Sequence, residues 1–192
     1  MSYDYNSAGA QRSFDLIPAG TPVVLQLTIR PGNEGEDFIL TRSKGGDALG
    51  LNLKFKIIEG QYAKRELFAF FVLDGKTEGH AEAADISRRT LRAILESVKG
   101  IKPTDVSEAA KAVRLVKDAE FDGLCFMATV DIEPAKGEYK AKNILGYVIT
   151  PDMKEWRPIT QEPPQGPGPR SPHSPNAATV AAPISKPAWA HS

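Results

Sequence analysis

Two stretches of strict alternation joined by a tight turn constrain the fold of this chain more than any other feature. In residues 49–58, Leu49, Leu51, Leu53, Phe55 and Ile57 fall on one side and Asn52, Lys54 and Lys56 on the other. A turn around Gly60 and Tyr62 and the basic pair Lys64-Arg65 follow. Then Leu67, Ala69, Phe71 and Leu73 fill one side while Phe68, Phe70 and Val72 take the opposite one. Side chains on a strand alternate between faces, so the pattern predicts a β-hairpin with one apolar face on a core. The other face mixes lysines with phenylalanines. A single-stranded nucleic acid needs that mixture, because phosphates attract cations and unstacked bases stack on aromatic rings. Two blander readings stand beside it: Phe68 and Phe70 pack beneath the tail or a loop, and the lysines are a solvated face that discourages edge pairing.

The rest of the chain supplies the other elements. Residues 1–13 are small and polar and are expected to form a flexible N-terminal arm. In the first strand Val23, Leu25, Leu27 and Ile29 alternate with Val24, Gln26, Thr28 and Arg30. A long polar loop follows, within which Phe38, Ile39 and Leu40 could add a short strand. From about His80 the period becomes helical, with Ile86, Leu91, Ile94, Leu95 and Val98 on one face. Asp85 would serve as N-cap of a helix that starts late, Gly100 stands at the stop, and Pro103 bars continuation. Asp105 with Glu108 three residues on has the form of a capping box and opens a second, short helix. The fourth strand turns Leu124, Phe126, Ala128, Val130 and Ile132 inward, against Cys125, Met127, Thr129 and Asp131. A hairpin near Gly137 leads to the fifth, over residues 143–149.

The expected fold is therefore mainly β, with one domain over residues 14–159. A helix between the third and fourth strands of a five-stranded barrel is the plan of the OB-fold. Five short strands with one apolar face can close into such a barrel, filled by side chains. Residues 160–192 are dense in Pro, Ala, Ser and Gly with almost no charge. They are expected to be a disordered, Pro-rich tail.

Charge narrows the function. Lys+Arg and Asp+Glu both number 24 in 192 residues, so any nucleic-acid binding must come from local charge segregation. A tight duplex binder, which neutralises many phosphates, is disfavoured. The single cysteine, Cys125, excludes an intramolecular disulfide and leaves a thiolate zinc site short of ligands. His80, His173 and His191 are scattered, and neither metal nor other cofactor is expected. No signal-peptide pattern or bilayer-length apolar run is visible, so the expected compartment is the cytoplasm and no membrane partner is expected.

The stretches FDLIPAGTPVVLQL, LGLNLKFKIIEGQYAKRELFAFFVL, ISRRTLRAILESVKGI and KNILGYV, between Phe14 and Val148, resemble a family of phage and prophage proteins catalogued as domain of unknown function 669. The most specific piece is the hairpin pattern EGxYAxRxLF at residues 59–68. The resemblance implies an OB-fold-like domain that binds single-stranded DNA in phage replication or recombination, and it brings no catalytic motif. The family pattern tends to be polar after RxLF, whereas this chain has Ala69, Phe70, Phe71 and Val72. The greasier outer face either strengthens base stacking or is covered by another subunit of a homo-oligomer.

The candidate DNA-binding residues lie on that face and its borders, the surfaces that OB-folds use for oligonucleotides. Asn52, Lys54 and Lys56 would sit under the backbone, and Phe68 and Phe70 would be stacking platforms. Arg42 and Lys44 from the first long loop, and Tyr139, Lys140 and Lys142 from the last hairpin, would wrap from each side. One competing reading is a protein-interaction module of the same machinery that uses the Phe-rich face. A weaker one is a metal-dependent nuclease, with Asp131 and Glu138 sharing a divalent cation and Lys140 near the attacked phosphate. Residue patterns that short arise often by chance. Arg88, Arg89 and Arg92 read as a solvated helix face. The tail ends without acidic residues, and Trp189 there fits a docking motif for a replication or recombination protein.

Overall fold

Alternation becomes sheet in the computed structural model, which describes residues 15–35 and 37–161. Strands β1 (Thr21–Ile29), β2 (Leu40–Arg42), β3 (Ala48–Ile57) and β4 (Glu66–Gly75) precede helices α1 (Glu78–Lys99) and α2 (Glu108–Val113). A 3-10 turn (Asp118–Phe121), β5 (Cys125–Glu133) and β6 (Lys142–Val148) follow. The strands form one antiparallel sheet organised about β3. β4 runs along one edge of β3, while its other edge is shared by β2 at Leu49–Leu51 and β1 at Leu53–Ile57. β5 and β6 extend the sheet beyond β1.

Two expectations are corrected here. The sheet has six strands, because Leu40–Arg42 pairs with β3, so the helix lies between β4 and β5. The barrel is also not closed. Closure would need β4 and β6 to share a ladder; they approach each other, but no such pairing exists among the described residues. Ile86 and Thr90 of α1 line the gap, where Phe70, Phe71 and Ile144 also stand. Side chains occupy the seam in place of backbone hydrogen bonds.

The inward face is an ordinary close-packed core. Leu25, Leu27, Leu51, Leu53, Phe55, Ile57, Phe126 and Val130 are completely buried. Phe55 sits between Phe71 and Phe126, with ring centroids 6.1 and 6.0 Å away. Burial of each large apolar side chain stabilises the fold by about 1.5–3 kcal/mol.

α1 closes this core with Leu91, Ile94 and Leu95. Its N-cap is Thr77, whose side chain accepts from the His80 N–H, and not Asp85, which pairs with Arg89 one turn on. Gly100 does end the helix, at φ 68°, the left-handed conformation that glycine adopts without a Cβ clash. Ile86 is 57% exposed rather than core. Ala84 and Ser87 take the buried positions on that part of α1 instead, and Ile86 lines the open seam beside Phe70 and Phe71. The short helix is capped by Ser107, which accepts from the Ala110 N–H. Asp105 stands two residues before it and accepts from the Ser107 N–H. That hydrogen bond holds the Asp105 carboxyl below its ordinary pKa.

Buried Glu96 ties the helices together. Its carboxylate accepts from Arg92 at 2.7 Å and Arg114 at 2.8 Å. Arg88 and Arg92 donate to the carbonyls of Leu73 and Pro103. The helix arginines expected to be solvated are thus partly used to hold the fold.

Both faces of β5 are covered, against the expected alternation. On its outer side Met127 packs with Val24 and Ile149 beneath Met153, Trp156 and Ile159. The Trp156 indole N–H donates to the Ser97 carbonyl at 3.1 Å. The Gln161 side-chain amide accepts from the Cys125 N–H and donates to the Cys125 carbonyl, at 2.8 and 2.6 Å. It thereby satisfies the part of the β5 edge that lies past the end of β6. The expected arm, and the expected tail from residue 162 on, including Trp189, lie outside the described residues. No helix among those residues is long and apolar enough to cross a membrane.

Candidate nucleic-acid interface

Register decides which side chains share the outer face. β1 and β3 place Gln26 opposite Lys56 and Thr28 opposite Lys54. β3 and β4 place Lys56 opposite Glu66, Lys54 opposite Phe68 and Asn52 opposite Phe70. The Arg30 N–H donates to the Asn52 carbonyl at 2.8 Å and continues the β1 row. Three cross-strand rows result: Gln26, Lys56, Glu66; Thr28, Lys54, Phe68; and Arg30, Asn52, Phe70.

Phe68 is 52% and Phe70 39% exposed. Neither ring is buried under a described loop, so the stacking reading keeps its geometry. The Arg30 guanidinium lies 5.8 Å from the Phe68 ring centroid, within cation–π range. The ladder also leaves this edge open. Ile57 donates to the Arg65 carbonyl, which fixes the phase of the β3–β4 pairing. Leu67, Ala69 and Phe71 therefore turn their backbone groups toward β3, and Phe68 and Phe70 turn theirs toward the seam.

The groove along that seam measures about 460 Å³ and is lined by Phe68, Phe70, Ile86, Lys142 and Ile144, among others. Lys142 is its junction with two neighbouring hollows. One, about 310 Å³, opens beside Leu16 and Arg65. The other, also about 310 Å³, lies on the β5–β6 hairpin between Glu133, Lys136, Tyr139 and Lys140. Tyr139 is almost wholly exposed, at 82%. The structure thus brings together Asn52, Lys54, Lys56, Phe68 and Phe70 on one face and reaches Tyr139 and Lys140 through Lys142.

Arg42 and Lys44 stand apart from these. Arg42 is opposite Leu49, at the far end of β3, and its guanidinium makes a two-point pair with Glu34 at 2.6 and 2.5 Å. The hydrogen bond from Arg42 holds the Glu34 carboxyl below its ordinary pKa. Lys44 is exposed on the adjoining turn.

Other cations of the face also carry carboxylates. Lys54 Nζ is 3.2 Å from Glu66, and Lys142 Nζ is 2.9 Å from Glu133. Lys56 and Lys140 make no ion pair among the described residues. Sequence reasoning missed Arg30, Glu66 and Glu133 as members of the site. Arg30 shares parity with Gln26 and Thr28, a signal that was present. The two glutamates become neighbours of lysines only once register is known. Arg65 was also missed; it donates to the Asp15 carbonyl at 2.8 Å and to Asn143 Oδ1 at 3.3 Å, and pins the mouth of the seam.

The remaining constellations lie elsewhere. Asp131 Oδ1 accepts from the Ile132 N–H. Among the described residues no group of three or more His, Cys, Asp or Glu side chains could hold a metal. Burial, and secondarily the charge of Glu59, push the Cys125 thiol above its ordinary pKa, which makes it a poor nucleophile. Compared with known proteins, the chain matches no family model and no curated protein.

Proposed function

We propose that this protein binds single-stranded DNA without catalysing a reaction on it, with the strand crossing the β3–β4 face toward the β5–β6 hairpin. The observation that carries the reading is the adjacency of two half-exposed phenylalanines, Phe68 and Phe70, to Arg30, Lys54 and Lys142 on one open surface. Bases would stack on Phe68 and Phe70, and on Tyr139 where the strand reaches the hairpin, while the cations meet phosphates. An OB-fold is a partly open five-stranded barrel that binds oligonucleotides on its second and third strands. With the three-residue β2 set aside, β3 and β4 occupy those places and α1 follows them. The resemblance to the phage and prophage family supports the same reading, and with it a role in replication or recombination of a phage or mobile element. Arg42 and Lys44 would contribute only at the border.

The test is an anisotropy titration of a labelled oligo-dT and of a duplex of equal length, at about 50 and 200 mM salt. The single strand should bind more tightly, with a shallow salt slope, because few free cations line the face. Preference for the duplex would end the proposal.

A second reading, a protein contact on the same face, is favoured by Ile86. Its exposed side chain extends the Phe68–Phe70 strip across the seam, beyond what base stacking needs. A concentration-dependent oligomer that buries Phe70 would favour it over DNA.

A further inference from the structure

We propose that Glu66 and Glu133 set the selectivity of the face for single strands, by occupying in advance the cations that a duplex would need. This rests on the single-strand reading above. Two of the cations placed around the phenylalanines already hold a carboxylate: Lys54 with Glu66 at 3.2 Å, and Lys142 with Glu133 at 2.9 Å. All four side chains are partly or largely exposed, so the pairs contribute little to fold stability. Their effect is on the potential of the surface.

A phosphate that takes Lys54 or Lys142 must displace a carboxylate and leave it unpaired nearby. The ions released from the nucleic acid are then partly offset by ions gathered around the freed carboxylate. This exchange weakens phosphate binding for either nucleic acid, but it does not weaken both equally. A duplex presents a charge about every 1.7 Å and keeps its bases stacked inside, so phosphate contact is nearly all it can offer here. A single strand can also stack bases on Phe68 and Phe70, a contribution that the carboxylates leave intact. Carboxylates beside the lysines thus subtract most from the ligand that depends most on phosphates.

The test compares wild type, the double variant Glu66→Gln/Glu133→Gln and the control Glu108→Gln, each with oligo-dT and duplex. Glutamine preserves shape and removes charge. Glu108 pairs with Lys111 on α2, away from the face, so its variant carries part of the same net-charge change without freeing a cation at the site. Thermal melts establish that all three proteins are folded.

In the double variant the duplex salt slope should steepen by at most about 0.9 for each freed lysine, against at most about 0.7 for the single strand. For two lysines that is an added rise in duplex affinity of at most about twelvefold between about 200 and 50 mM salt. The ratio of single-strand to duplex affinity should therefore fall below the wild-type value, and the control should leave it unchanged. A wild type that binds single strands, with a ratio that stays constant or rises in the double variant, overturns the assignment to Glu66 and Glu133 alone. A change of equal size in Glu108→Gln also overturns it, because bulk charge would then be responsible. A wild type with no single-strand binding overturns this inference together with the reading it rests on.

Discussion

Truncation of Phe70 separates a binding surface from a structural one, because the structure assigns different magnitudes to the two effects. Phe70 is 39% exposed and lines an open groove, so its removal enlarges a surface hollow and leaves no sealed cavity. Full burial of a phenylalanine stabilises a fold by about 1.5–3 kcal/mol, and the roughly three-fifths buried here scale that to about 1–2 kcal/mol. A core position would lose about 3–5 kcal/mol. Loss of one base stack costs about 1–3 kcal/mol of binding, a five- to 150-fold rise in Kd. Phe70→Ala should therefore unfold at moderately lower urea concentration and, well below its midpoint, bind oligo-dT at least about fivefold more weakly. Phe68 offers an internal comparison. It is more exposed, but the Arg30 guanidinium already lies against its ring, so Phe68→Ala should cost less stability and also remove a contact that positions Arg30. The assays are urea denaturation beside anisotropy titration of labelled oligo-dT. A folded Phe70→Ala protein that binds like wild type would refute stacking at that ring, and a stability loss above about 3 kcal/mol would show Phe70 to be core.

Two further outcomes follow from one buried and one half-buried carboxylate. Glu96→Ala should cost about 3–5 kcal/mol in urea denaturation, since it strips the partner from the mostly buried Arg114; a loss below about 1 kcal/mol would make the pair no different from an exposed one. Asp118 has its pKa raised by burial, so its stabilising contribution is present at acid pH and is lost as pH rises through the raised value. Asp118→Asn should accordingly melt higher than wild type at pH 7, with the gap closing below about pH 3.9, the ordinary aspartate value; a gap that is constant with pH would assign the effect to something other than ionisation.

Local pattern was legible in the sequence, and long-range pairing was not. The alternation through Leu51, Leu53 and Phe55 placed the core face of β3 correctly, and that of Phe68 and Phe70 placed the outer face of β4. Gly100 marked the helix stop because the left-handed position there suits glycine. Ile86 misled, since helical periodicity alone does not show which flank of the apolar stripe meets the core; Ala84 and Ser87 are the buried residues there. Met127 and Thr129 had the parity of exposed residues but are buried, Met127 beneath a segment that carries Trp156 and begins some twenty residues later in the chain. Nothing local announces such a cover. The candidate site divides the same way. Lys54, Lys56, Phe68 and Phe70 share a hairpin, so spacing found them. Glu66 and Glu133 acquire their meaning only from ion pairs, and the groove only from the approach of β4 to β6.

The open edge of β4 bears on how the molecule can be handled as well as on what it binds. Residues 68–73, Phe-Ala-Phe-Phe-Val-Leu, carry no charge, glycine or proline, and one edge of that segment has no strand partner among the described residues. A short uncharged run of high β-propensity is the kind of segment that stacks into intermolecular sheets. Glu66 and Asp74 bracket it as charged gatekeepers, and α1 shields it from within. If α1 lifts before the sheet dissolves, the strand is left bare while its backbone remains extended and ready to pair. Heat inactivation would then be governed by a rate of precipitation rather than by an equilibrium midpoint. A nucleic acid lying along Phe68 and Phe70 would slow that loss by screening the exposed edge from other molecules.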